Sequence, residues 1–205
     1  MTTMEVWFEF ASNYSYPAVM RVEDLARQAG VDLAWKPFLL GPVFRALGWE
    51  SSPFVVQKAK GDYALNQDMP RLCAKYGLPW MPPSVFPRRA LLPLRVALLA
   101  DREPWVGEFC RHVMRRHFGE DVDIDQPQVV AEILTRLGQD ADDLLLRAEG
   151  EDNRQRLREQ TEAAQQKGIF GAPTFLVGGA MFWGNDRLED ALAWARGLRD
   201  SSNGA

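Results

Sequence analysis

With 205 residues, 46% of them hydrophobic and 25% charged, the chain has the makeup of a soluble globular protein. It is long enough to bury a substantial core as one domain, or as one domain carrying a large insertion. A net charge of −4 argues against nucleic acid or an anionic membrane surface as the main partner. No run approaches the roughly 18 apolar residues of a membrane span. Glu5 and Glu9 interrupt the only apolar stretch near the start, where an export signal would need an unbroken one, so the cytoplasm is the expected compartment.

In chain order, residues 4–10 are rich in aromatic and β-branched types and predict a strand. A helix over 16–29 follows, closed by Gly30, and 32–38 predicts a second strand, parallel to the first through a right-handed crossover. Residues 41–53 contain Gly, Pro and Trp and predict a loop. Helix-period segments then occupy 55–76, 88–100, 104–118, 126–137, 140–148 and 151–167, with Asp125-Gln126-Pro127 reading as an N-cap and an early helical proline. After Gly168 the strand pattern returns. Thr174-Phe175-Leu176-Val177, a Gly178-Gly179 turn and Ala180-Met181-Phe182-Trp183 predict a hairpin, and a helix over 187–198 closes the pattern. The order βαβ, helices, ββα predicts an α/β protein of thioredoxin-like fold, its discontinuous domain spanning 1–40 and 168–200. A large all-helical insertion domain covers 41–167, and 201–205 form a loose tail.

Cys73 and Cys110 lie among apolar residues of helical segments, outside any C-x-x-C, and are expected to be reduced core thiols. His112 and His117 are five apart on a helix, so they diverge and do not make a two-histidine zinc face. Solvated or capping histidines are expected, and no metal.

Two segments about 160 residues apart carry the chemistry. Ser12 stands between a strand and a helix N-terminus, where free backbone N–H groups and the helix dipole favour an anion. Serine itself does not ionise there. Its hydroxyl either caps the helix or donates to a thiolate brought by a ligand, favouring the charged form. Ala172-Pro173-Thr174 either opens a strand edge with an ordinary trans proline or holds a cis bond that turns the Ala172 backbone toward a peptide-like ligand. Trp183-Gly184-Asn185-Asp186 precedes the last helix. Asn185 or Asp186 would cap that helix; the motif's amides and the Asn185 side chain would also hold a carboxylate, with Asp186 suited to an ammonium group.

The chain resembles the thioredoxin-fold glutathione enzymes comprising 2-hydroxychromene-2-carboxylate isomerases and kappa-class glutathione transferases, with DsbA-type oxidoreductases as more distant relatives. The resemblance covers nearly the whole chain. It rests on Phe8-Glu9-Phe10-Ala11-Ser12 with Tyr14 and Tyr16, Pro37-Phe38-Leu39-Leu40-Gly41, Lys60-Gly61-Asp62-Tyr63, Tyr76-Gly77-Leu78-Pro79 and both C-terminal motifs. It implies glutathione as cofactor. Ser12 would support its thiolate, Ala172 and Pro173 its cysteinyl backbone, and Trp183, Gly184, Asn185 and Asp186 its γ-glutamate, with Lys60 nearby. Lys36, Trp49 and Arg88 would face the substrate, a small aromatic carboxylate. A homodimer is left open. Asn13 departs from the proline frequent in such sequences, and Trp49 from an asparagine of the kappa transferases.

Three functions compete. An isomerase would use reversible thiolate addition to convert a 2-hydroxychromene-2-carboxylate-type acid to trans-o-hydroxybenzylidenepyruvate. A kappa-like transferase would release the conjugate, and a non-catalytic binding module would have no glutathione affinity. The aromatic loops around Trp49 and Trp80, with Phe182 to Arg187, lean toward the isomerase. A disulfide oxidant is excluded, because no redox dithiol exists.

Overall fold

The computed structural model describes residues 2–203, the last five of them by their backbone. Strand β1 (Thr3–Phe8), helix α1 (Ser15–Ala29) and strand β2 (Asp32–Pro37) form the βαβ unit. Nine helices follow in order: α2 (Leu40–Ala46), α3 (Pro53–Val56), α4 (Lys58–Tyr63), α5 (Met69–Tyr76), α6 (Leu91–Leu99), α7 (Val106–Phe118), α8 (Pro127–Arg136), α9 (Ala141–Glu149) and α10 (Glu151–Gln166). Strands β3 (Thr174–Val177) and β4 (Ala180–Trp183) and helix α11 (Leu188–Asn203) complete the fold. The mixed sheet runs β2-β1-β3-β4, with β1 parallel to β2 and antiparallel to β3. This is the thioredoxin-like α/β fold expected. Among the described residues no helix is long and apolar enough to cross a membrane.

Alternation along β1 divides the interior. Phe8 and Phe10 pack with Trp35, Tyr16 and the inserted helices α6–α9 in one continuous core, whereas Trp7 joins Phe38, Leu40 and Val43 on the other face. The core is therefore shared between the sheet and the inserted helices.

Four local expectations change. Part of 41–53 is helical as α2, and the Glu9 carboxylate accepts from Leu40 N, its first residue, at 3.1 Å. That cap comes from 31 residues away. The single helix expected over 55–76 is instead α3, α4, a π-helical turn (Ala64–Asp68) and α5. Asp125 does not cap its own helix: its Oδ1 accepts from Leu92 N at 2.8 Å and caps α6. The last helix continues through Ser201–Asn203, part of the expected loose tail, while Gly204 and Ala205 lie outside the described residues.

Cys73 and Cys110 are free and buried, and burial raises the Cys73 thiol to about 11 and Cys110 well above its ordinary value. His117 is neither solvated nor a cap. It is fully buried, its Nδ1 lies 2.9 Å from the Phe10 carbonyl, and burial lowers its pKa to about 4. A neutral imidazole with its proton on Nδ1 therefore braces the residue that leads into the β1–α1 turn.

Candidate active site

The turn between β1 and α1 is built from backbone. Ser12 N donates to Glu9 O at 3.1 Å, and Ser15 N to Ser12 O at 3.1 Å. Ser12 is 8% exposed, and its hydroxyl has two partners. The oxygen accepts from Ser15 N at 3.3 Å, the first residue of α1. Its proton goes to the Ala172 carbonyl at 2.9 Å. Capping and a tie to the distant motif are thus both real. A hydroxyl has only one proton to give. To donate to a ligand, Ser12 must let go of Ala172.

The Ala172–Pro173 bond is cis. Pro173 does not line the cleft; its carbonyl accepts from Gly184 N at 2.9 Å and joins this loop to the motif after β4. Gly171 is required by close approach and Gly184 by its backbone angle. A Cβ on Gly171 would lie 2.4 Å from Trp183 Nε1, and one on Gly184, at φ 114°, 2.5 Å from an Asp186 carboxyl oxygen. Trp183 meets Phe170 edge-on at 4.8 Å, so this pair forms one rim of the cavity.

The cavity has a volume of about 1320 Å³. This exceeds the usual span for small-molecule sites. It opens onto Ser12, Ala172, Trp183, Gly184, Asn185, Asp186, Lys60, Trp49 and Arg88, bringing together nearly all the residues singled out from the sequence. Besides Pro173, Lys36 is the exception: it lies on the edge strand β2, opposite Trp7 in register, and is not in the lining. Trp35 takes the slot facing the main core and Lys36 the Trp7 face, but Lys36 sits within β2, whereas the lining on that side comes from residues 39–42 beyond the strand. Trp80 is also absent, stacked instead on Phe118.

Some of the gathered residues do different work from that expected. Arg88 is 7% exposed and pairs with Asp121, with Ser84 also accepting from it, so most of its donors are spent. Asn185 is 2% exposed, and its Oδ1 accepts from Arg21 at 2.9 Å. Only its amide NH2 is left to meet a carboxylate. Arg21, unflagged in the sequence, lies over the Tyr76 ring at 3.7 Å and pairs with Glu189. Asp186 has an exposed side chain 3.6 Å from Arg187, consistent with meeting a cation from solution.

Other lining residues were given no role from the sequence. Tyr14 donates to Asp68 at 2.6 Å, and burial, then Asp68, raises its phenol pKa. The π-helical turn delivers Asp68 to that position, a local widening of the helix often found at functional sites. Arg45 lines the cavity from α2 and, like Lys60, is in no ion pair with an acid among the described residues. Asn13 is 1% exposed with both amide atoms unpartnered. A buried amide without partners costs about 1–3 kcal/mol per group, so it marks a place for water or ligand.

These groups fit glutathione. A serine hydroxyl at a helix N-terminus, a backbone carbonyl beside a cis proline, and an amide and an exposed carboxylate after β4 match a thiol, a peptide backbone and a γ-glutamate.

The model of the DsbA-like thioredoxin domain matches residues 3–193. The chain is 30% identical to 2-hydroxychromene-2-carboxylate isomerase of Sphingobium xenophagum over 190 residues, covering 91% of this chain and 94% of that one. It is 28% identical to the enzyme of the same name from Pseudomonas putida over 186 residues, covering 90% of each. A solved structure of a 2-hydroxychromene-2-carboxylate isomerase superposes with a TM-score of 0.85 at 28% identity, over 99% of both chains. The chain therefore belongs to the DsbA-like thioredoxin family, alongside the 2-hydroxychromene-2-carboxylate isomerases that share its length, its helical insertion and its fold.

Proposed function

We propose that this protein is a glutathione-dependent isomerase acting on a 2-hydroxychromene-2-carboxylate-type acid. The observation that carries the reading is the Ser12 hydroxyl on the Ala172 carbonyl, which joins the helix N-terminus to the cis-proline loop at the mouth of one large cavity. The relatives named for this isomerisation support it.

Glutathione would supply a thiolate that adds to the conjugated carbonyl system and is expelled again, leaving a rotatable single bond in between. Ser12 would donate to the sulfur, and the N-terminus of α1 would favour its charge. The Ala172 carbonyl, released by Ser12, would accept the cysteinyl N–H. Asn185 would donate its amide to the γ-glutamyl carboxylate while Asp186 accepts from the ammonium. Arg45, with Lys60, would hold the substrate carboxylate and stabilise negative charge on the carbonyl oxygen. Trp49 and Phe44, stacked with ring centroids 6.5 Å apart, offer a flat aromatic wall.

The test is a melt with glutathione followed by an ultraviolet isomerisation assay. Stabilisation of about 2.7 kcal/mol is expected at 100 times the dissociation constant. No shift at millimolar glutathione refutes the reading. A chlorodinitrobenzene assay run beside it separates a transferase, for which the breadth of the cavity is the one favouring observation.

A further inference from the structure

Glu9 lies one residue beyond β1. Alternation puts it on the Trp7 face, where Trp7, Phe38, Leu40 and Val43 form the small core cluster against which Ala172 packs. The side chain reaches the cavity wall, and its Oε2 accepts from Leu40 N at 3.1 Å. Its backbone carbonyl accepts from Ser12 N, so Glu9 belongs to the same turn as the serine. Capping α2 needs one lone pair and no charge.

The charged groups of the cleft leave Glu9 alone. Arg88 is held by Asp121 and Arg89 by Asp125. Asp68 is occupied by Tyr14 and Asp186 lies beside Arg187. Neither Arg45 nor Lys60 pairs with Glu9 among the described residues. The second carboxyl oxygen has no hydrogen bond there either. A half-buried carboxylate with one donor and no cation is costly to charge, and holding a proton lowers that cost. Burial accordingly raises the pKa to about 7, opposed only by the Leu40 amide. A catalytic proton carrier works best when its pKa lies near the working pH.

We propose that Glu9 is the catalytic base of this cleft, taking the proton from the thiol of bound glutathione and returning it when the thiol re-forms. The inference rests on the glutathione reading above. In the transfer the S–H bond breaks and its electron pair stays on sulfur. The proton makes an O–H bond on the free carboxyl oxygen. The neutral carboxyl then puts no negative charge beside the thiolate, whereas an ionised one would oppose its formation. Ser12 and the helix N-terminus stabilise the thiolate, and Glu9 takes up its proton.

The test counts protons. Glutathione is titrated into the protein at about pH 8, above the Glu9 range, by calorimetry in buffers of different ionisation enthalpy. Thiolate absorbance is followed in parallel. In the wild type, thiolate should form with little proton release to buffer. In Glu9→Gln, whose amide oxygen still caps α2, any thiolate formed should release close to one proton each. The infrared difference spectrum of the wild type supplies a check that needs no variant: binding should produce a protonated-carboxyl band. Equal proton release in the two proteins, or no such band, overturns the role of Glu9 while glutathione binding stands. Absence of binding and of thiolate in the wild type overturns both readings.

Discussion

Replacing Ser12 by alanine probes the join on which the site is built. The substitution removes the cap on Ser15 N, worth about 1 kcal/mol, and the bond to the Ala172 carbonyl, worth about another 1 kcal/mol net. The sum is roughly 2 kcal/mol, which in a chain of 205 residues lowers the melting temperature by about 4–8 °C. Activity should fall further than stability explains. Loss of a hydrogen bond to a charged sulfur costs about 1.5–3 kcal/mol, or ten- to a hundredfold, and the thiolate should appear only at higher pH. Differential scanning fluorimetry of the free protein measures the first effect, and a pH series of thiolate absorbance with bound glutathione the second. Ser12→Thr, which keeps the hydroxyl, should recover most of both. An unchanged melting point would refute the bridge to Ala172. A lowered melting point with an unchanged pH series would reduce Ser12 to a helix cap.

Other outcomes follow from buried or crowded groups. Glu9 retains its proton to about pH 7 in the folded state against 4.5 ordinarily, so it lowers stability as pH rises through that window. His117 stays neutral down to about pH 4 against 6.5, so it lowers stability as pH falls from 6.5. Each effect is on the order of 3 kcal/mol. They oppose one another between pH 4.5 and 6.5, so urea melts should show a shallow wild-type profile there and a clear loss of stability toward acid in Glu9→Gln. A Glu9→Gln profile parallel to the wild type contradicts the raised Glu9 pKa. Asp186→Ala should weaken glutathione binding ten- to a hundredfold by calorimetry and leave the free protein's melting point unchanged, because the side chain is exposed and makes no helix cap. Gly171→Ala drives a Cβ to within 2.4 Å of the Trp183 indole and should displace that ring, seen as altered tryptophan fluorescence and lost glutathione affinity. Unchanged fluorescence would show that the rim accommodates the methyl group.

Local features of the chain determined the order of elements. The alternation of Phe8 and Phe10 around Glu9, the glycine after α1 and the Gly178-Gly179 turn depend on neighbours in sequence, and these led to the thioredoxin-like arrangement and to Ser12 and the Ala172–Asp186 region. What the tertiary structure alone decided are the pairings across long gaps. Glu9 caps the helix over 40–46, Asp125 caps α6 rather than its own helix, Arg21 takes the oxygen of Asn185, and Asp121 takes the charge of Arg88. Lys36 and Arg45 show the same limit: each is a lone cation in sequence, and only the tertiary structure decides that Arg45, on the helix after β2, lines the cavity while Lys36, within β2, does not. Local propensity is set by short-range sterics and backbone bonding, whereas a side chain's charge state and its partner depend on which distant segment the fold places against it.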